Sequence, residues 1–182
     1  MKSVIIGNVK SPAKYAKPKD QMDPTSLWMV GDVGESIGFW VLHKYKFRRI
    51  VKPLELQYRE GDRIKTVSHF ISPNQIRQGI CFLPSEEESY YWSKVLTEEQ
   101  KEYHFIRWDF LAIKVERESR KFIAHPCLIE VKTRRSETKT SRDYESFKKR
   151  DFTREKGLGF RVFCVSVILC DDWNFEADIE EL

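Results

Sequence analysis

Cys127-Leu128-Ile129-Glu130-Val131-Lys132-Thr133 is an apolar run that ends in alternating charge. It reads as a buried strand, and strand periodicity puts Glu130 and Lys132 on the same face. Charge at the end of a buried strand is costly unless it is partnered. A metal ion with an attacking water would use both a carboxylate and an ammonium at that spacing.

Working outward, Phe105 to Val115 reads as a preceding strand, Glu116 to Lys121 as a polar turn region, and Phe122 to Lys132 as the returning strand. A turn centred between Ser119 and Arg120 makes paired positions sum to 239. Asp109 then lies opposite Glu130, and Arg107 opposite Lys132, with directly opposed side chains roughly 5 Å apart. Two carboxylates at that separation repel unless a cation sits between them. Mg²⁺ takes one or two carboxylates and keeps several waters. Lys132 would then hold the attacking water or the charge developing on phosphorus. Glu-x-Lys also occurs at Glu99 and Glu137, but only Glu130 follows an apolar strand with an Asp at hairpin register. The competing reading is a cross-strand charge cluster, in which Arg107, Asp109, Glu130 and Lys132 pair with one another.

The 182 residues suffice for one domain, and the expectation is a single domain over 1–182 with an irregular arm at 1–25 and an acidic tail at 171–182. Pro12, Pro18 and Pro24 stand among lysines in the arm. Asp32 to Tyr45 has helical periodicity with Asp32 as N-cap, and Glu35 fits the third helical position of a capping box. Strands are expected over Phe47–Tyr58 and Ile64–Ile71, a short one at Ile80–Leu83, and a helix from Ser85. Beyond Lys132 come a basic loop, a helix around Tyr144–Arg154 stopped by Gly157-Leu158-Gly159, and a final apolar strand from Phe160 to Cys170.

Net charge is +4 with histidine neutral, but Asp171 to Leu182 holds six acids and no Lys or Arg, which leaves 32 basic against 22 acidic residues over 1–170. That surplus favours a polyanionic partner. No apolar run reaches the length of a membrane span, and the opening residues do not read as a secretory signal. The sequence therefore predicts a cytoplasmic, intracellular protein with no membrane partner. Cys81, Cys127, Cys164 and Cys170 lack metal-type spacing and read as reduced thiols. His43, His69, His104 and His125 show no ligand spacing either.

Gly34-Glu35 opening an amphipathic helix, then Asp109, then Glu130-Val131-Lys132, then a basic helix and a last strand, resembles the PD-(D/E)xK nuclease superfamily, which includes many restriction endonucleases and archaeal Holliday-junction resolvases. The resemblance covers roughly residues 32–170. It implies an α/β fold with a mixed central sheet flanked by helices, in the order helix, three strands, helix, strand. It also implies that Asp109, Glu130 and Glu35 are metal ligands for Mg²⁺ or Mn²⁺ and that Lys132 is the catalytic lysine. Trp108 stands where the family pattern has Pro, Phe47 to His104 is longer than the core requires, and no Gln-x-x-x-Tyr follows Lys132.

Residues 132–156 carry ten basic and five acidic side chains. Arg134, Arg135, Lys139, Arg142, Lys148, Lys149 and Arg150 are the candidate phosphate contacts, which would position a duplex without reading its sequence. The expectation is a metal-dependent DNA endonuclease, with RNA left open as substrate and a homodimer suggested by two-strand cutting. The alternative is a DNA-binding accessory module on a nuclease-like fold that cleaves nothing.

Overall fold

The structure is a computed structural model that describes residues 4–8, 24–60, 63–71, 86–119, 121–135, 142–170 and 174–182. In chain order the elements are β1 (Val4–Asn8), α1 (Pro24–Lys44), β2 (Phe47–Glu60), β3 (Arg63–Ile71), α2 (Glu86–Val95), α3 (Glu98–Lys101), a one-turn 3₁₀ helix (Phe105–Arg107), β4 (Phe110–Glu118), β5 (Lys121–Arg135), α4 (Arg142–Lys148), α5 (Thr153–Gly157), β6 (Arg161–Leu169) and β7 (Asn174–Glu181). The strand order is β1-β7-β6-β5-β4-β2-β3. The fold is α/β with a mixed sheet. β5 is followed by α4, α5 and then β6, the helical crossover that parallel neighbours need.

The β4–β5 hairpin takes the expected register. Its rungs run from Phe110↔Ile129 to Glu118↔Lys121, every pair summing to 239. Ser119 holds the turn with φ +44°. Gly159 stops the short helix α5: it has φ +84°, where a side chain would be strained, and the Phe160 amide donates back to the Glu155 carbonyl.

Other expectations are corrected. α1 begins at Pro24, whose fixed φ suits a first helical turn, so Asp32 lies inside the helix and Glu35 is not at the start of it. The residues from Phe105 begin with a 3₁₀ turn, and the strand starts only at Phe110. The helix expected over 144–154 is two short ones, α4 and α5. The acidic tail is a strand: β7 alternates buried Phe175, Ala177 and Ile179 with polar residues, and an apolar face that large must be covered. The arm likewise contributes β1, paired antiparallel with β7 from Val4↔Asp178 to Asn8↔Asn174. The short strand proposed at 80–83 lies outside the described residues.

The chain forms two compact units: residues 1–45, 130–152 and 163–182, and residues 46–129 with 153–162. In the second unit β2 pairs with β3 and β4, and Phe47, Val51, Trp92, Leu111 and Ile113 are buried. Tyr103, Phe105 and Phe160 cluster at 5.4–5.8 Å between centroids, with Phe105 edge-on to both of the others. Tyr103 donates to Glu155 at 2.7 Å and accepts from the Trp108 indole at 3.0 Å. Burial, then the bond to Glu155, pushes the Tyr103 phenol up to about 12. A capping box joins Thr97 and Gln100, and buried Gln100 donates to the Leu158 carbonyl at 2.8 Å. Phe47 to His104, the stretch longer than the core requires, lies within this unit.

Candidate active site

In the first unit, α1 lies close against β5. A Cβ on Gly34 would stand 1.6 Å from Thr133 Oγ1, and one on Gly38 2.8 Å from Val131 Cγ2. Gly34 and Gly38 are one helical turn apart, so together they let the helix backbone approach the strand. Val131 and Thr133 therefore face α1. Alternation turns Glu130 and Lys132 to the opposite face. There the Lys132 ammonium pairs with Glu130 Oε1 and sits 5.5 Å from the ring centroid of Phe147 on α4. The side chains are mostly buried, 12% exposed for Glu130 and 24% for Lys132.

Neighbouring strands extend this polar face. Cys164 on β6 is opposite Glu180 on β7, and Ser166 is opposite Asp178. Tyr144 on α4 donates to Glu180 Oε2 at 3.2 Å, and Lys148 pairs with the same oxygen at 2.7 Å. Asp178 Oδ1 is buried with no hydrogen-bond partner among the described residues. Cys164 feels both pairs: burial pushes its thiol up to about 12, Glu130 and Glu180 add to that, and Lys132 and Lys148 oppose it. Burial likewise holds the Tyr144 phenol near 12, with Lys148 opposing and Glu180 reinforcing. Both groups are neutral at physiological pH. The Lys148 ammonium is stabilised above the ordinary lysine range, chiefly by its bond to Glu180.

Of the four residues expected at the site, Glu130 and Lys132 are brought together. Glu35 shares their unit, but its helix packs on the other face of β5. Asp109 is half-buried, just before β4, in the second unit. Among the described residues, no group of three or more His, Cys, Asp or Glu is placed to hold a metal ion. The donors present are carboxylates, which fit a hard cation that takes one or two of them and keeps its waters. They do not form the closed nitrogen and sulfur cage of a structural zinc site.

The candidate phosphate contacts fall into three groups. Lys149 and Arg150 are exposed, with the Arg150 guanidinium 5.3 Å from the Phe147 centroid. Lys148 is engaged with Glu180, and Arg134 is half-buried on β5. The side chains of Arg135 and Arg142, and the whole of Lys139, lie outside the described residues. Tyr144, Cys164 and Glu180 were not singled out by sequence reasoning. The alternation Phe175-Glu176-Ala177-Asp178-Ile179-Glu180 was the available signal for Glu180, since it marks a strand with one polar face.

No helix among the described residues is long and apolar enough to cross a membrane. No protein-family model matches this chain, and neither the curated proteins nor the solved structures yield a match.

Proposed function

We propose that the protein is a metal-dependent nuclease acting on DNA. The observation that carries this reading is the Glu130–Lys132 pair, held on one face of β5 beneath α4. Supporting it, the chain runs α1, β2, β4, β5, α4, β6 once β1, β3, the helices between β3 and β4, α5 and β7 are set aside, which is the order the superfamily resemblance implies. Glu130 would hold Mg²⁺ or Mn²⁺ with its second carboxylate oxygen, the first being engaged by Lys132. A bound ion of this kind polarises the phosphodiester and acidifies its water. Lys132, oriented by Glu130 and Phe147, presents a fixed positive charge to the charge that develops on the phosphate oxygens. Lys149 and Arg150 are exposed and suited to hold the backbone of the substrate.

A second reading, a DNA-binding module without catalysis, is favoured by a different observation. Two charge pairs of this face, Glu130–Lys132 and Glu180–Lys148, are neutralised within the protein, and no three-donor group gathers among the described residues. The two readings separate in one assay. Supercoiled plasmid, linear duplex, single strand, branched junction and RNA are incubated with Mg²⁺, Mn²⁺ or EDTA, using wild type, Glu130→Gln and Lys132→Met. Metal-dependent cutting by wild type, lost by at least about 100-fold in both variants, is the expected outcome. Binding without cutting in every metal assigns the accessory role.

A further inference from the structure

The β4–β5 hairpin changes character along its length. Its inner rungs are buried on both faces, with Phe110, Leu111, Ala112 and Ile113 on one strand and Pro126, Cys127, Leu128 and Ile129 on the other. Its outer rungs are the reverse: Lys121, Phe122, Ile123 and Ala124 are all exposed, Phe122 at 77%. The pairing of β2 with β4 reaches no further than Phe47↔Lys114. Beyond that rung β2 no longer flanks β4, and the four outer rungs, Val115↔Ala124 to Glu118↔Lys121, form an arm about 13 Å long at strand rise on which Val115, Arg117 and residues 121–124 are exposed.

The two faces of the arm differ. Val115, Arg117, Phe122 and Ala124 share one face, with Arg117 directly opposite Phe122. That face is apolar with one cation and no acid. Glu116 points to the other face, where Arg161 binds it at 2.7 Å and Lys114 lies 3.8 Å away. The Arg161 hydrogen bond holds the Glu116 carboxyl below its usual value. Its negative charge is thus compensated within the protein, while Arg117 and Lys121 stay exposed.

We propose that this arm enters the major groove of duplex DNA, with Arg117 on a guanine edge or phosphate and Phe122 against the base edges, including thymine methyl groups. Arg117, exposed on a face without an acid, favours a polyanion, and shape selects B-form DNA. A two-stranded ribbon fits a groove about 12 Å wide and 8.5 Å deep, whereas the A-form major groove of duplex RNA is too narrow for side chains to read. The proposal rests on the nuclease reading and deepens it by naming duplex DNA as the substrate.

The test is dimethyl sulfate footprinting, which reports guanine N7 in the major groove, on an end-labelled duplex in EDTA, with wild type, Arg117→Ala and Phe122→Ser. Binding is measured in parallel on matched DNA and RNA duplexes. Both substitutions are at exposed positions, and circular dichroism checks their folding. Wild type should protect guanines, Arg117→Ala should lose that protection, and each variant should bind DNA about tenfold more weakly while leaving RNA binding unchanged. DNA bound without N7 protection, or equal loss on both duplexes, overturns the arm's role. So does a change in oligomeric state on Phe122→Ser with DNA binding intact, which would make the arm a contact between copies of this chain. Metal-dependent cutting is scored separately: cutting without N7 protection sinks only the arm, and protection without cutting sinks only the nuclease.

Discussion

The two faces of the strands in the first unit solve the same burial problem in opposite ways. On the α1 side, Val131, Val165, Val167, Phe175, Ala177 and Ile179 meet a helix brought close by two glycines, with Trp40 edge-on to Phe175 at 5.8 Å. On the opposite face stand Glu130, Lys132, Cys164, Ser166, Asp178 and Glu180, where α4 offers Tyr144 and Lys148 to Glu180 and Phe147 to Lys132. The first arrangement gains free energy from apolar area removed from water. The second must first offset desolvation of its charges, and removing a buried ion pair in favour of apolar residues is often neutral or stabilising. Stability thus accounts for the α1 face and not for the α4 face, which is why function is sought on the latter.

The largest expected effect breaks the apolar face. In an exposed helix Gly→Ala normally stabilises by about 1 kcal/mol. At Gly34 the new Cβ would meet Thr133 at 1.6 Å, so the sign reverses. Gly34→Ala should destabilise by about 3 kcal/mol, the cost of overpacking. Adding Thr133→Ala should restore part of it, because removing Oγ1 leaves the residue 133 Cβ at 2.7 Å from the new Cβ. Urea titration of the three variants measures this; unchanged stability in Gly34→Ala would mean that α1 does not approach β5 as described.

The next effect tests the polar face. Glu130→Ala leaves Lys132 mostly buried without its partner and should cost about 2 kcal/mol, discounted from a fully buried pair because the side chains are 12% and 24% exposed. The double variant Glu130→Leu with Lys132→Met should recover most of that stability while remaining inactive. Stability recovered with activity lost assigns the pair to function. If the double variant is as unstable as the single one, the pair is a structural requirement and the contrast between the two faces collapses.

Much of this comparison was legible in the sequence, for identifiable reasons. The hairpin register followed from its short turn, because pairing positions are fixed once a turn is placed, and the apolar run before Glu130 announced a buried strand. The end of α5 was marked by Gly159. The start of α1 was missed because Asp32 and Glu35 satisfy a capping pattern locally, while the actual start at Pro24 stands among lysines and prolines that look irregular. β7 was missed because six acids outweighed the two-residue alternation of Phe175, Ala177 and Ile179. The link of Tyr144 and Lys148 to Glu180 spans 32 to 36 positions in sequence, and no local pattern encodes it.

The smallest expected effect concerns that link. The Lys148 ammonium is held above its ordinary range by the bond to Glu180, so the folded state binds this proton more tightly than the unfolded chain does. Its contribution is complete below the ordinary lysine value of about 10.4 and disappears as pH rises through the raised one. Lys148 and Glu180 are each about a quarter exposed, so solvent screening keeps the pair to about 0.5–1 kcal/mol. Lys148→Met should therefore lower the melting temperature slightly at pH 8, and the gap from wild type should close in strongly alkaline solution. A gap that persists there would come from lost packing of the lysine stem. Glu180 would then be holding α4 through Tyr144 alone, and Lys148 would be available to a phosphate instead of being committed to the protein's own carboxylate.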